Sequence, residues 1–191
     1  MEALAEILNF SEPALVSAFL VLMRVGATTA LLPGFGEQSI PMRVRLLVAL
    51  AFTAIVWPVV HPLFNFSQHD MPMLIVTESA VGVLIGVSIR LLLIGLQLAG
   101  SIAAQSTSVA QIAGSGATPD PMPAIGNILV MAGIAIVLMS GLHVKAALAL
   151  INSYQTMPLG FFPIGSDVAQ WGTAHVAAAF SMAISLAAPF V

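Results

Sequence analysis

With 191 residues, 59% of them hydrophobic and 7% charged, the chain cannot cover a soluble globule with polar surface, which places it in a membrane or a membrane-embedded assembly. Five Lys and Arg against eight Asp and Glu give a net charge of -3 and no basic patch, so the sequence argues against a nucleic-acid partner. The absence of cysteine excludes a disulfide framework, a thiolate nucleophile, an iron–sulfur cluster and a zinc ribbon.

The opening residues, MEALAEILNFSEP, are acidic and lack the cationic stretch of a signal peptide, so the N-terminus is expected to be retained. Apolar runs follow at Ala14–Leu32, Leu46–Val60, Met73–Ala99, Ala124–Ile151 and Val168–Val191. A spanning helix needs about 20 such residues. The second run is shorter than that and stops at Trp57-Pro58, which argues against a plain stack of independent spans. Turn chemistry separates the runs at Leu32–Pro41, His61–Pro72 and Met157–Asp167, and Ser166 or Asp167 is placed to cap the last helix. LLPGFG and MPLGFFPIG share a faint likeness that an internal repeat would explain, as would coincidence between two turns. The chain stops at Pro189-Phe190-Val191 without a cap or polar tail, as expected of a fragment or of a segment completed by a partner. The expected fold is all-α, a single helical membrane domain over 1–191.

Arg24 lies well inside the first apolar run, where a cation costs roughly 2.5 to 3.5 kcal/mol at a helix centre on insertion scales. Either it meets a buried carboxylate, carbonyls or water, with Glu78 and Glu37 as candidates, or the helix is shifted and Arg24 snorkels to an interface. Glu78 opens E-x-x-x-G-x-x-x-G, ending at Gly82 and Gly86. Residues four apart share a slowly drifting helix face, so the two glycines read as a surface for close helix packing. Gly95, Ala99 and Ala103 continue this pattern further along. Arg43 and Arg45 form the densest cationic cluster, which the positive-inside rule would place in the cytoplasm. His61, His69, His143 and His175 show no metal-ligand spacing, and there is no nucleophile elbow, P-loop or close carboxylate pair, so neither a metal, a cofactor nor an enzyme is expected.

Gln105–Pro123, QSTSVAQIAGSGATPDPMP, carries one charge, two glycines and three prolines between long apolar stretches. Irregular backbone at membrane depth is tolerated where protein buries it or where it lines an aqueous path, which makes this segment a candidate pore or gate element.

In order along the chain, LMRVGATTALLPGFGEQSIPMRVRLLVALAFTAIVWP at Leu22–Pro58, ESAVGVLIG at Glu78–Gly86, GSIAAQSTSVAQ at Gly100–Gln111, PAIGNIL at Pro123–Leu129, SGLHVKAAL at Ser140–Leu148 and TMPLG at Thr156–Gly160 resemble the FliR family of flagellar biosynthetic proteins and its type III secretion counterparts. The resemblance implies a subunit of the flagellar export gate, built of helical hairpins in the bacterial inner membrane and the flagellar basal body. Its implied partners are FliP, FliQ, FlhB and FlhA, with exported flagellar proteins as cargo and membrane lipid around it. It also implies that the chain lacks the C-terminal part of its relatives.

The family's pore-closing loop matches about Val109–Pro119, with Val109, Ala110, Gln111, Ile112, Ala113, Gly114, Ser115 and Gly116 as the plug. Many members carry an Asp-Pro soon after the preceding helix. Here Ala113-Gly114-Ser115 stands near that place and Asp120-Pro121 comes later, so the Asp-Pro role is not carried over to Asp120. The competing reading is a small-molecule transporter or channel with a broken-helix site, which Arg24 and Glu78 near the apolar interior would serve.

Overall fold

The computed structural model describes residues 2–37, 40–64, 70–106 and 124–190, with 2–12, 104–106, 124–125 and 190 at the level of the backbone alone. The described residues form helices α1 (Glu2–Leu31), α2 (Met42–Val60), α3 (Met71–Ser106), α4 (Ala124–Met139), α5 (Leu142–Thr156) and α6 (Gly165–Ala187), with short 3-10 turns at His61–Leu63 and Ala188–Phe190. Three stretches, Pro13–Leu31, Met42–Leu63 and Met71–Ala103, are long and apolar enough to cross a membrane, and a fourth joins them if the broken pair α4–α5 counts as one span. The chain is an all-α membrane protein.

Several helix bounds differ from the hydropathy pattern, each for a local reason. The first helix starts at Glu2 and carries Pro13 inside it, where apolarity alone begins at Ala14. The second starts at Met42, taking the exposed Arg43 and the half-buried Arg45 into its first turn, because arginine is a good helix former. It also runs through Trp57-Pro58 into the 3-10 turn, so its 19 residues are not the truncated segment the apolar run implied. The run Ala124–Ile151 is broken in two at Ser140-Gly141, where Gly141 holds φ +77, a conformation that stops a helix and suits glycine. Neither Ser166 nor Asp167 caps α6: the cap is Ile164, without a side-chain hydrogen bond. Asp167 instead sits in the first turn, where a carboxylate complements the helix dipole. The polar residues Gln170, Thr173 and His175 fill the first half of that helix, which is not among the candidate spans.

The chain divides into two compact units, residues 1–87 with 143–163 and residues 88–142 with 164–191. In the first, Leu20, Val21 and Val25 of α1, Phe52, Val56 and Val60 of α2, Leu74 and Val81 of α3 and Leu150 of α5 are buried together. Trp57 donates its indole N–H to Ser17 Oγ at 2.8 Å, and Ser17 in turn donates to the Ala14 carbonyl at 2.8 Å, so the polar atoms under α1 are satisfied locally. In the second unit, Leu93, Ala99 and Ala103 of α3 and Ala179, Ala183 and Ala187 of α6 are buried. Gly95 lies against the Ala179 carbonyl and Gly133 of α4 against Leu96, so small residues set the close approach of these helices.

The segments LLPGFG and MPLGFFPIG contain matching turns. Phe35 N–H donates to the Leu32 carbonyl and Phe161 N–H to the Pro158 carbonyl, with Gly34 at φ 79 and Gly160 at φ 77 in the third position of each.

Candidate functional site

The first unit buries one strongly polar node. Arg24 and Glu78 are both 0% exposed. Arg24 Nε donates to Glu78 Oε2 at 2.8 Å and Nη2 donates to Oε1 at 2.8 Å. This is the two-pronged geometry in which a planar guanidinium matches a carboxylate.

The remaining donors of Arg24 turn to α5 and to the residue after it. Nη1 donates to Ser153 Oγ at 3.0 Å, and Nη2 also donates to the Met157 carbonyl at 3.0 Å. Ser153 donates its own hydroxyl hydrogen bond to the Leu150 carbonyl at 2.7 Å. The Met157 carbonyl lies just past the end of α5, where backbone acceptors lose their helical partners, so Arg24 also acts as a cationic cap on that helix. Tyr154 closes the node from a third side. Its ring lies under the guanidinium, 3.7 Å from Arg24 Cζ to the ring centre, and its hydroxyl donates to Glu78 Oε2 at 3.1 Å.

The sequence puts Arg24 within reach of Glu78 through the glycines that follow Glu78. A Cβ on Gly82 would lie 2.3 Å from the Arg24 carbonyl oxygen, and one on Gly86 2.8 Å from Leu31 Cβ, so α1 and α3 touch backbone to backbone along this seam. The Thr28 hydroxyl stands between the carbonyls of Arg24, at 2.9 Å, and Gly82, at 3.0 Å, and donates across the same seam. A larger residue at either glycine would separate the helices and pull the two charges apart.

Of the two candidate partners of Arg24, the structure brings in Glu78. Glu37 instead offers its backbone carbonyl to Arg45 Nη2. Ser153, Tyr154 and the Met157 carbonyl were not singled out in the sequence; the one signal for them is the polar run Asn152-Ser153-Tyr154 interrupting an otherwise apolar helix. The plug residues Val109, Ala110, Gln111, Ile112, Ala113, Gly114, Ser115 and Gly116 lie outside the described residues.

Chemically, the node offers no reactive group to a ligand. Both oxygens of the carboxylate accept from Arg24, one of them from Tyr154 as well, and each nitrogen of the guanidinium donates. Such an arrangement joins helices and fixes their register.

A model of the family described as bacterial export proteins, family 1, matches residues 15–191. The chain is also 30% identical over 178 residues to the flagellar biosynthetic protein FliR of Caulobacter vibrioides, an alignment that covers 91% of this chain and 71% of that protein.

Proposed function

Because the chain belongs to the bacterial export proteins of family 1, which gives it a role in flagellar protein export, we propose that it is a structural pore subunit of the export gate. In this reading it assembles with FliP and FliQ in the bacterial inner membrane at the flagellar basal body, beside FlhA and FlhB, and unfolded flagellar proteins pass through the assembly. It performs no catalysis itself, and other components supply the motive energy.

The observation that favours this over a small-molecule transporter is the state of the buried charges. A transporter site needs ionisable groups that turn to a substrate. Here Arg24 and Glu78 are saturated by each other and by α5, which suits a scaffold whose job is to hold a pore wall in shape.

The plug assigned to Val109–Gly116 follows from the family resemblance and from the two glycines that allow irregular backbone there. Two measurements test the proposal. Affinity purification of the tagged chain in mild detergent should recover FliP and FliQ in fixed ratio; a chain that runs alone as a small homo-oligomer would point to the transporter. Deleting Gly114–Gly116 should make resting membranes leaky to ions, and unchanged permeability in an intact assembly would remove the plug assignment.

A further inference from the structure

The fifth helix is held unequally at its two ends. Its buried stripe is Leu142, Ala146, Leu150, Ser153 and Tyr154, and the last two belong to the polar node. At the C-terminal end, Arg24 and Glu78 engage Ser153 Oγ, the Tyr154 ring and hydroxyl and the Met157 carbonyl.

The N-terminal half has no such polar tie and is held by the apolar burial of Leu142 and Ala146 alone. Between it and α2 lies an apolar groove of about 380 Å³, with Ala51 and Ile55 on one wall and Val144, Ala147 and Ile151 on the other, and His143 at its edge. Side chains that face a gap lose the dispersion contacts a filled interface would supply. The residue before this helix, Gly141, holds φ +77 and is a turn rather than a continuation of α4.

The facing helix α2 is itself fastened away from the groove, by the Trp57–Ser17 hydrogen bond and by Val56 and Val60 in the core, while its Phe52 is both buried and part of the groove lining. The seam between α1 and α3 is likewise closed by Gly82, Gly86 and Thr28 without help from α5. The first half of α5 is therefore the part held by apolar contact alone, with the groove along its α2 side.

We propose that α5 is a rocking helix, pinned at Ser153–Met157 by Arg24 and able to open and close the groove against α2 at its other end. This goes beyond the pore reading and does not depend on it, because the pivot and the groove both lie in the first unit.

Amide hydrogen exchange on the full chain in lipid nanodiscs, with any subunits that accompany it, tests the idea. The first turn of α5 is left out of the comparison, since its N–H groups have no helical acceptors. After correction for intrinsic rates, residues 146–149 should exchange about tenfold faster than 151–156, as expected where one end opens locally and the other does not. Ala147→Leu, which puts bulk into the groove, should slow 146–149 alone. Arg24→Lys, which keeps the charge but gives up the contacts of Nη1 to Ser153 and of Nη2 to Met157, should speed 151–156 more than 20–30 and 78–86, where Gly82, Gly86 and Thr28 still close the seam. Uniform exchange along α5 in the unsubstituted chain would overturn the proposal, whatever the variants do. So would an Arg24→Lys variant that loosens α1 and α3 as much as α5, because Arg24 would then be a general stabiliser and not the pivot.

Discussion

Arg24 and Glu78 sit 54 positions apart in the chain yet meet through two parallel hydrogen bonds of 2.8 Å, with neither side chain exposed. Burying either ion alone carries a desolvation cost that only the partner offsets. Arg24→Ala should therefore destabilise the first unit by about 3–5 kcal/mol, and Glu78→Ala by a similar amount, since each leaves an uncompensated buried charge. The double change Arg24→Met with Glu78→Leu removes both charges and should cost less than either single change. Thermal unfolding of the purified chain and its variants in detergent gives the ranking. A double variant as damaged as the sum of the two singles would show that the residues do not act as a pair.

Tyr154 contributes by two separable routes, a hydroxyl on Glu78 and a ring face on Arg24. Tyr154→Phe keeps the ring and should cost about 1.5–3 kcal/mol, the range for a hydrogen bond to a charged group. Tyr154→Ala loses the ring as well, with its contact to Phe64 at 5.5 Å between ring centres, and should approach the about 3–5 kcal/mol of an aromatic truncation. Equal losses for the two variants would mean that the ring stacking is energetically silent.

Much of this node was legible before the fold was known, and the remainder shows what a linear pattern omits. A lone arginine within an apolar run demands a partner, and Glu78 was one of two carboxylates that could answer. Choosing between them required the seam: Gly82 and Gly86 bring α3 onto α1 at Arg24, while Glu37 stays in the turn after α1. Ser153, Tyr154 and Met157 arrive from about 130 positions away, and no periodicity within a helix reports a contact made at that separation. Helix existence followed apolarity well. Boundaries followed it poorly, because Arg43, Arg45 and Trp57-Pro58 are compatible with helical backbone although they interrupt an apolar count, and because Gly141 stops a helix inside an apolar stretch.

The seam itself makes a contrast within α1 and α3. A methyl group on Gly82 would collide with backbone, 2.3 Å from the Arg24 carbonyl oxygen and 2.9 Å from Ala27 Cβ. Backbone cannot swing away as a side-chain tip can, so Gly82→Ala should cost about 1–3 kcal/mol and pull the ion pair apart. Gly26 is also helical, but a Cβ there meets nothing within 4 Å. Gly26→Ala should be neutral or stabilise by up to about 1 kcal/mol through helix propensity. Co-purified yield and melting temperature of the two variants read the difference, and equal behaviour would remove the close-packing account of the E-x-x-x-G-x-x-x-G motif.

Gly95 in the second unit tests whether the kind of atom opposite a glycine matters, and not merely its distance. Its added Cβ would lie 2.9 Å from Met182 Cε and 3.0 Å from the Ala179 carbonyl oxygen. The methionine tip is the end of a flexible, unbranched side chain and can turn aside. The carbonyl belongs to helical backbone, yet it stands 0.7 Å farther off than the one facing Gly82, the difference between 3.0 and 2.3 Å. Gly95→Ala should therefore fall between the other two glycine variants, with a loss below that of Gly82→Ala. Gly95→Leu cannot be accommodated by the methionine alone and should separate α3 from α6, with a loss at least as large as that of Gly82→Ala. Melting temperatures in the order Gly26→Ala, Gly95→Ala, Gly82→Ala, from highest to lowest, are the expected result; a Gly95→Ala variant less stable than Gly82→Ala would mean that the carbonyl of Ala179, and not the methionine, controls that contact.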